Sequence, residues 1–338
     1  MRKTLVIALV SLFGMAGTAL AQESAEAEAE VAAEESADEG AAEAEKLPFG
    51  GSLSLGSRVG MGTFANDGYA RRPLMTGRLG MSAYYKPTAP QRISLGFGVT
   101  KYLVENADTG VAEDGQTLIE DLGLSYSYSG IWSDKDLGLS LSAGASLSFP
   151  TSKASQVATK ILGVTPNARL SGNWGWFSAY YGISYTQNFH EYTNRVVENE
   201  GPEPICINRE GLVSGVCFVP SYANTQFAVS NSVGVGFKAL DELSFGISYS
   251  LFHSYGYDVY STEDEFTSVN AQAGKRQRDG QAAAITASYQ VHKYFGLGAA
   301  LATGAPIKTA DNKGFRFPFF DGSANNYSSV SLTATASY

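Results

Sequence analysis

Between Leu137 and Phe149 the chain alternates apolar and small polar side chains without a break. Leu137, Leu139, Leu141, Ala143, Ala145, Leu147 and Phe149 fall on one face of an extended strand. Gly138, Ser140, Ser142, Gly144, Ser146 and Ser148 fall on the other. A helix would scatter this period around its whole circumference, so the pattern commits the segment to β structure. It also limits the kind of sheet. The polar face carries Ser and Gly rather than the Lys and Glu that a strand shows to open water, which implies a confined interior.

The same rhythm recurs along the chain. It predicts strands near Gly51–Gly62, Leu74–Lys86, Arg92–Val104, Leu118–Trp132, Leu137–Phe149 and Val164–Trp174. Further strands are expected near Trp176–Tyr192, Thr225–Leu240, Leu243–Asp258, Gln281–Lys293, Phe295–Gly304 and Tyr327–Tyr338. That makes twelve, with fourteen as the alternative count. Only Ala154–Leu162 has the makings of a helical turn or two. The connections alternate between short (Pro87–Gln91, Ser133–Asp136, Trp174–Gly175, Asp241–Glu242, His292–Tyr294) and long. Strands of this length exceed the five or six residues usual in globular sheets and suit a tilted crossing of a bilayer. A soluble sandwich shares the alternation but not the length, the Ser/Gly interior face or the clustering of Trp132, Trp174 and Trp176 at the short-turn end. The expected fold is all-β: a transmembrane antiparallel up-and-down β-barrel.

The chain ends in register. Val330, Leu332, Ala334, Ala336 and Tyr338 share one face of a strand that finishes on an aromatic. This ending resembles the closing strand of bacterial outer-membrane β-barrels of the porin-like superfamily. The resemblance implies that these five residues form an assembly signal for the barrel-assembly machinery. It also implies a first strand, around Leu53–Met61, that pairs with the last. A second, shorter likeness lies in Leu147-Ser-Phe-Pro-Thr-Ser152, where a strand leaves into a Pro-Thr turn. It is similar to a step in barrels associated with degradation of aromatic compounds, and implies a channel for small compounds.

The N-terminus carries export features. Arg2 and Lys3 precede an apolar run, Thr4–Leu12, and Ala19-Leu20-Ala21 offers a small-x-small cleavage site. Residues 1–21 are therefore expected to be a signal peptide cleaved after Ala21, in a Gram-negative bacterium with the product in its outer membrane. Residues 22–46 are almost entirely Ala, Glu and Ser, with ten acidic residues against Lys46. A segment so polar and so charged cannot bury enough apolar surface to fold. The expected organisation is a signal at 1–21, a disordered acidic periplasmic segment at 22–47, and a barrel at 48–338. The acidic segment could thread the lumen as a plug or reach a periplasmic partner. The net charge of -9 belongs to this segment; residues 47–338 hold 21 basic and 23 acidic residues. No basic stripe or binding module points to nucleic acid.

Arg58, Arg78, Arg169 and Asp121 are the expected lumen charges and constriction candidates, since each falls on a polar face. Lys101 and Glu120 fall on apolar faces and are expected to pair across strands above the bilayer. Cys206 and Cys217, in an exported chain, are expected to form one local disulfide. No zinc-ligand spacing surrounds them, so neither a metal nor a cofactor is predicted. The last long loop, with Phe315, Phe317, Pro318, Phe319 and Phe320, is unusually aromatic.

Twelve-stranded barrels include a phospholipase family marked by His-x-Ser-Asn-Gly. Here the nearest runs are His253-Ser254-Tyr255-Gly256 and Tyr185-Thr186-Gln187. His253 and Ser254 are adjacent in a strand, so they point to opposite faces and cannot act as base and nucleophile. A lipid hydrolase is thus the weakest reading. The leading one is a non-enzymatic channel for passive uptake or efflux of small solutes, with outer-membrane lipids around it. Its competitor is a structural or surface-interaction barrel with a filled lumen and working loops.

Overall fold

The computed structural model describes residues 48–64, 74–104, 115–197, 207–208, 211–212, 217–259, 274–308, 313–319 and 328–338. Within them, twelve strands form one closed antiparallel wall. These are β1 (Phe49–Gly60), β2 (Met75–Tyr85), β3 (Gln91–Val104), and a divided β4 (Thr117–Ile119 with Leu122–Asp134). Next come β5 (Leu139–Phe149), β6 (Lys160–Trp174), β7 (Phe177–His190), β8 (Thr225–Lys238) and β9 (Leu243–Val259). The wall is completed by β10 (Gly274–His292), β11 (Phe295–Pro306) and β12 (Ser328–Ser337). Each strand pairs with its sequence neighbour, and β1 pairs with β12 over Ser52↔Ser337 to Gly60↔Ser329. Closure leaves no open edge, which is the condition for a sheet to sit in hydrocarbon.

The two faces separate as the alternation predicts. Leu53, Leu55, Leu79, Met81, Ile247 and Leu332 point outward and are exposed. Thr76, Ser230, Ser244, Thr286, Ser331 and Thr333 point inward and are buried. A water-soluble chain could not display so continuous an apolar surface without aggregating. At the short-turn end, Trp174 stacks on Phe177 with centroids 5.6 Å apart, and Trp176 on Phe237 at 6.0 Å. The Trp174 indole N–H donates to the Leu137 carbonyl at 2.9 Å, so the girdle also ties one turn to the next. Two of these turns depend on glycine. Gly138 and Gly175 have φ of 65° and 77°, in the left-handed region where a Cβ is strained.

Several sequence boundaries shift. The sixth strand, expected from Val164, begins at Lys160, and the tenth, expected from Gln281, begins at Gly274. The expected helical turn over 154–162 is a single short helix, α1 (Lys153–Val157), N-capped by Ser152, whose hydroxyl accepts from the Ser155 amide at 3.2 Å. The long connection after β7 contains two further strand pairs outside the wall, Asn194–Val197 with Cys217–Ala223 and Ile207–Asn208 with Gly211–Leu212. Cys206 lies outside the described residues, as do residues 1–47, so the disulfide, the signal and the acidic segment fall there too.

Candidate functional site: the charged flank of the lumen

The fourth strand is where the period-two pattern breaks. Val99 pairs with Ile119 and Gly96 pairs with Gly123, so two residues of β3 face three of β4. The extra residue is a β-bulge, which turns neighbouring side chains toward the same face. Glu120 and Asp121 therefore both point into the lumen. The expected partnership of Glu120 with Lys101 on the outer face does not form. Lys101 is exposed on the outer face, and Glu120 instead pairs with Arg78. Alternation alone counts residues two by two, and an inserted residue resets the count.

The two carboxylates have different surroundings. Glu120 receives Arg78 in a fork, Nε to Oε1 at 2.7 Å and Nη2 to Oε2 at 2.6 Å, and accepts the Thr100 hydroxyl at 2.6 Å. This pair stays in touch with the lumen; the two side chains are 17% and 29% exposed. Gly98 makes room for it, because a Cβ there would lie 2.1 Å from Glu120 Oε2. Asp121 is enclosed. It accepts from the Ser148 hydroxyl at 3.1 Å, the Ser152 amide at 2.9 Å, the Ser155 hydroxyl at 2.5 Å and Lys160 Nζ at 3.3 Å. Both side chains of the Asp121–Lys160 pair are 2% exposed.

Leu147-Ser-Phe-Pro-Thr-Ser152 builds this arrangement. Ser148 bonds both Asp121 and Lys160 Nζ, the latter at 2.8 Å. The Thr151 hydroxyl donates to the Glu120 carbonyl at 2.7 Å and accepts the Leu122 amide at 2.9 Å, clasping the bulge from both sides. Ser152 supplies its amide to Asp121 and its hydroxyl to the cap of α1. The motif is thus the socket that holds two consecutive acids inward.

The other expected lumen residues also lie on β1–β6. Arg58 is buried on β1 and donates from Nε to the Ser329 hydroxyl at 2.9 Å, across the β1–β12 seam. Arg169, on β6, stacks its guanidinium 3.8 Å from the Tyr180 ring centroid and reaches Ser171 at 3.2 Å. Arg92 and Lys160 belong to the same flank, beyond the four charges expected from the sequence. Arg92 lies 4.0 Å over the Tyr84 ring. The signal for Arg92 is its shared face with Ser94 and Gly96; Lys160 carries none, because a register shift between Lys160 and Leu162 turns it inward against the alternation. Among the described residues, the inner side of β1–β6 thus carries Arg58, Arg78, Arg92, Arg169 and Glu120, with the Asp121–Lys160 pair enclosed behind it. The opposite flank, β8–β12, differs. Between Phe252 and the short-turn rim its inward residues are Gly, Ala, Ser and Thr, such as Ser232, Ala284, Ala300 and Ser331.

On the outer wall, His253 Nδ1 lies 2.7 Å from Asp279 Oδ1. Ser254 faces the other way and donates to the Arg278 carbonyl at 3.2 Å, so this His–Asp pair has no adjacent serine nucleophile. The aromatic loop splits in a similar manner. Phe315 and Phe317 are exposed, while Arg316 between them is buried, its carbonyl accepting Gln281 Nε2 at 2.7 Å.

No protein-family model matches the sequence, and no curated protein matches it. Solved structures do share the architecture. The COG4313 outer-membrane channel from Pseudomonas putida F1 superposes with a TM-score of 0.51 at 10% identity, covering 89% of this chain and 99% of that one. The NanC porin gives 0.41 at 9% identity over 85% and 98% of the two chains. The KdgM porin gives 0.40 at 10% identity over 85% and 99%. At such identity the likeness is one of fold alone: a closed twelve-stranded antiparallel barrel.

Proposed function

We propose that the protein is an outer-membrane channel for small solutes, passing polar and anionic species in preference to cations. It is exported behind residues 1–21, with cleavage after Ala21, into the outer membrane of a Gram-negative bacterium, where assembly machinery reads β12 and lipids surround the wall. One observation carries the reading. A closed wall carries cationic side chains on the inner face of β1–β6 opposite the Gly/Ala/Ser/Thr surface that β8–β12 form between Phe252 and the short-turn rim. Charge focused inside a low-dielectric wall raises the local concentration of counter-ions and selects between them. A smooth opposite wall leaves room for the solute.

Purified protein in planar bilayers is expected to give discrete conductance steps and an anion-favouring reversal potential in a salt gradient. Replacing Arg58, Arg92 and Arg169 together by Gln is expected to move that potential toward zero. A protein that folds and inserts but never conducts would overturn the reading. The competing filled-lumen barrel draws on the low exposure of inward Ala284 and Ala302, each 2%. It expects silence in bilayers and a phenotype that follows loop deletions.

A further inference from the structure

We propose that Glu120 is the residue that sets the ion preference of the pore, by holding the Arg78 guanidinium in a neutral pair on the lumen surface. The inference rests on the channel reading and names its selectivity-determining residue. Of the two acids that the bulge turns inward, Asp121 is committed to structure: four donors surround it and its side chain is sealed from the lumen. Glu120 is the carboxylate that touches the lumen, at 29% exposure. Its oxygens take the two parallel N–H groups of Arg78, the geometry in which a guanidinium and a carboxylate cancel most completely. Arg78 sits on β2 one row from Arg58, as the register Arg58↔Thr76 and Gly56↔Arg78 shows. Glu120 therefore offsets one member of the cationic row without closing the passage.

The pair behaves as a two-sided control. Removing the carboxylate leaves Arg78 as an added cation beside Arg58. Removing the guanidinium leaves Glu120 as an anion facing solute. The bulge makes this possible, because a regular β4 would place residue 120 on the outer wall.

The test is a reversal-potential series in planar bilayers with potassium chloride gradients, on full-length protein whose folding is checked by heat-modifiable electrophoretic mobility. Glu120→Gln is expected to raise the anion-to-cation permeability ratio by about twofold or more, as expected when one charge is added to a confined pore. Arg78→Gln is expected to lower it by a similar factor, and the double substitution to return near the parent value. Lys101→Gln, which removes a charge from the outer wall, serves as the contrast and is expected to leave the permeability ratio in place. Equal ratios across all the Glu120 and Arg78 variants, in a channel that conducts, would overturn the assignment of Glu120 while leaving the channel standing. A silent parent protein would overturn both.

Discussion

At the scale of single residues, the lumen is shaped as much by glycines as by charges. Tyr180 lies over Gly234, where a Cβ would come within 2.3 Å of the ring, and Arg169 stacks its guanidinium 3.8 Å from the same ring centroid. Gly234→Val should push Tyr180 off its seat and take Arg169 with it. The expected cost is about 1–3 kcal/mol of overpacking, read as a lower urea midpoint in refolding experiments. Tyr338 acts at the seam. Its amide donates to the Gly51 carbonyl at 2.9 Å and its carbonyl accepts the Gly51 amide at 3.0 Å, while its ring lies against Tyr294. Deleting Tyr338 is therefore expected to lower the yield of heat-modifiable barrel in membranes while leaving the conductance of each assembled channel unchanged.

Among the elements, β4 and α1 form one unit through Asp121. A buried ion pair that loses one partner leaves an uncompensated charge, at a cost of about 3–5 kcal/mol. Asp121→Asn strands Lys160 in this way, so a marked loss of stability is expected. Adding Lys160→Met should restore part of it, and chemical denaturation of the two variants and the parent would show whether it does. This element also shows where sequence reading stops. The strands were legible because alternation is local, and the inward positions of Arg58, Arg78, Arg169 and Asp121 follow from it. The bulge was not legible. One inserted residue leaves Leu118–Trp132 looking regular while it reverses Glu120, and the Pro-Thr step that clasps it looked like a turn signal. Partnerships between β2 and β4 depend on register and on Gly98 leaving space. Neither is written in either strand alone.

Across the described part of the molecule, the inner face of β1–β6 is polar and charged, while that of β8–β12 between Phe252 and the short-turn rim is small and neutral. In the proposed channel a solute would meet different chemistry on its two sides, so orientation as well as charge should affect passage. The closure has a further consequence, for folding. Ser52 pairs with Ser337, so the contact that completes the wall joins residues separated by nearly the entire barrel sequence. Loop-closure entropy must be met before that contact can form, and topologies dominated by such distant pairings fold slowly. The first strand must therefore wait, with its Leu53 and Leu55 edge unpaired, until the last residues of the chain arrive. The protein's aggregation should therefore rise steeply with concentration during unassisted refolding.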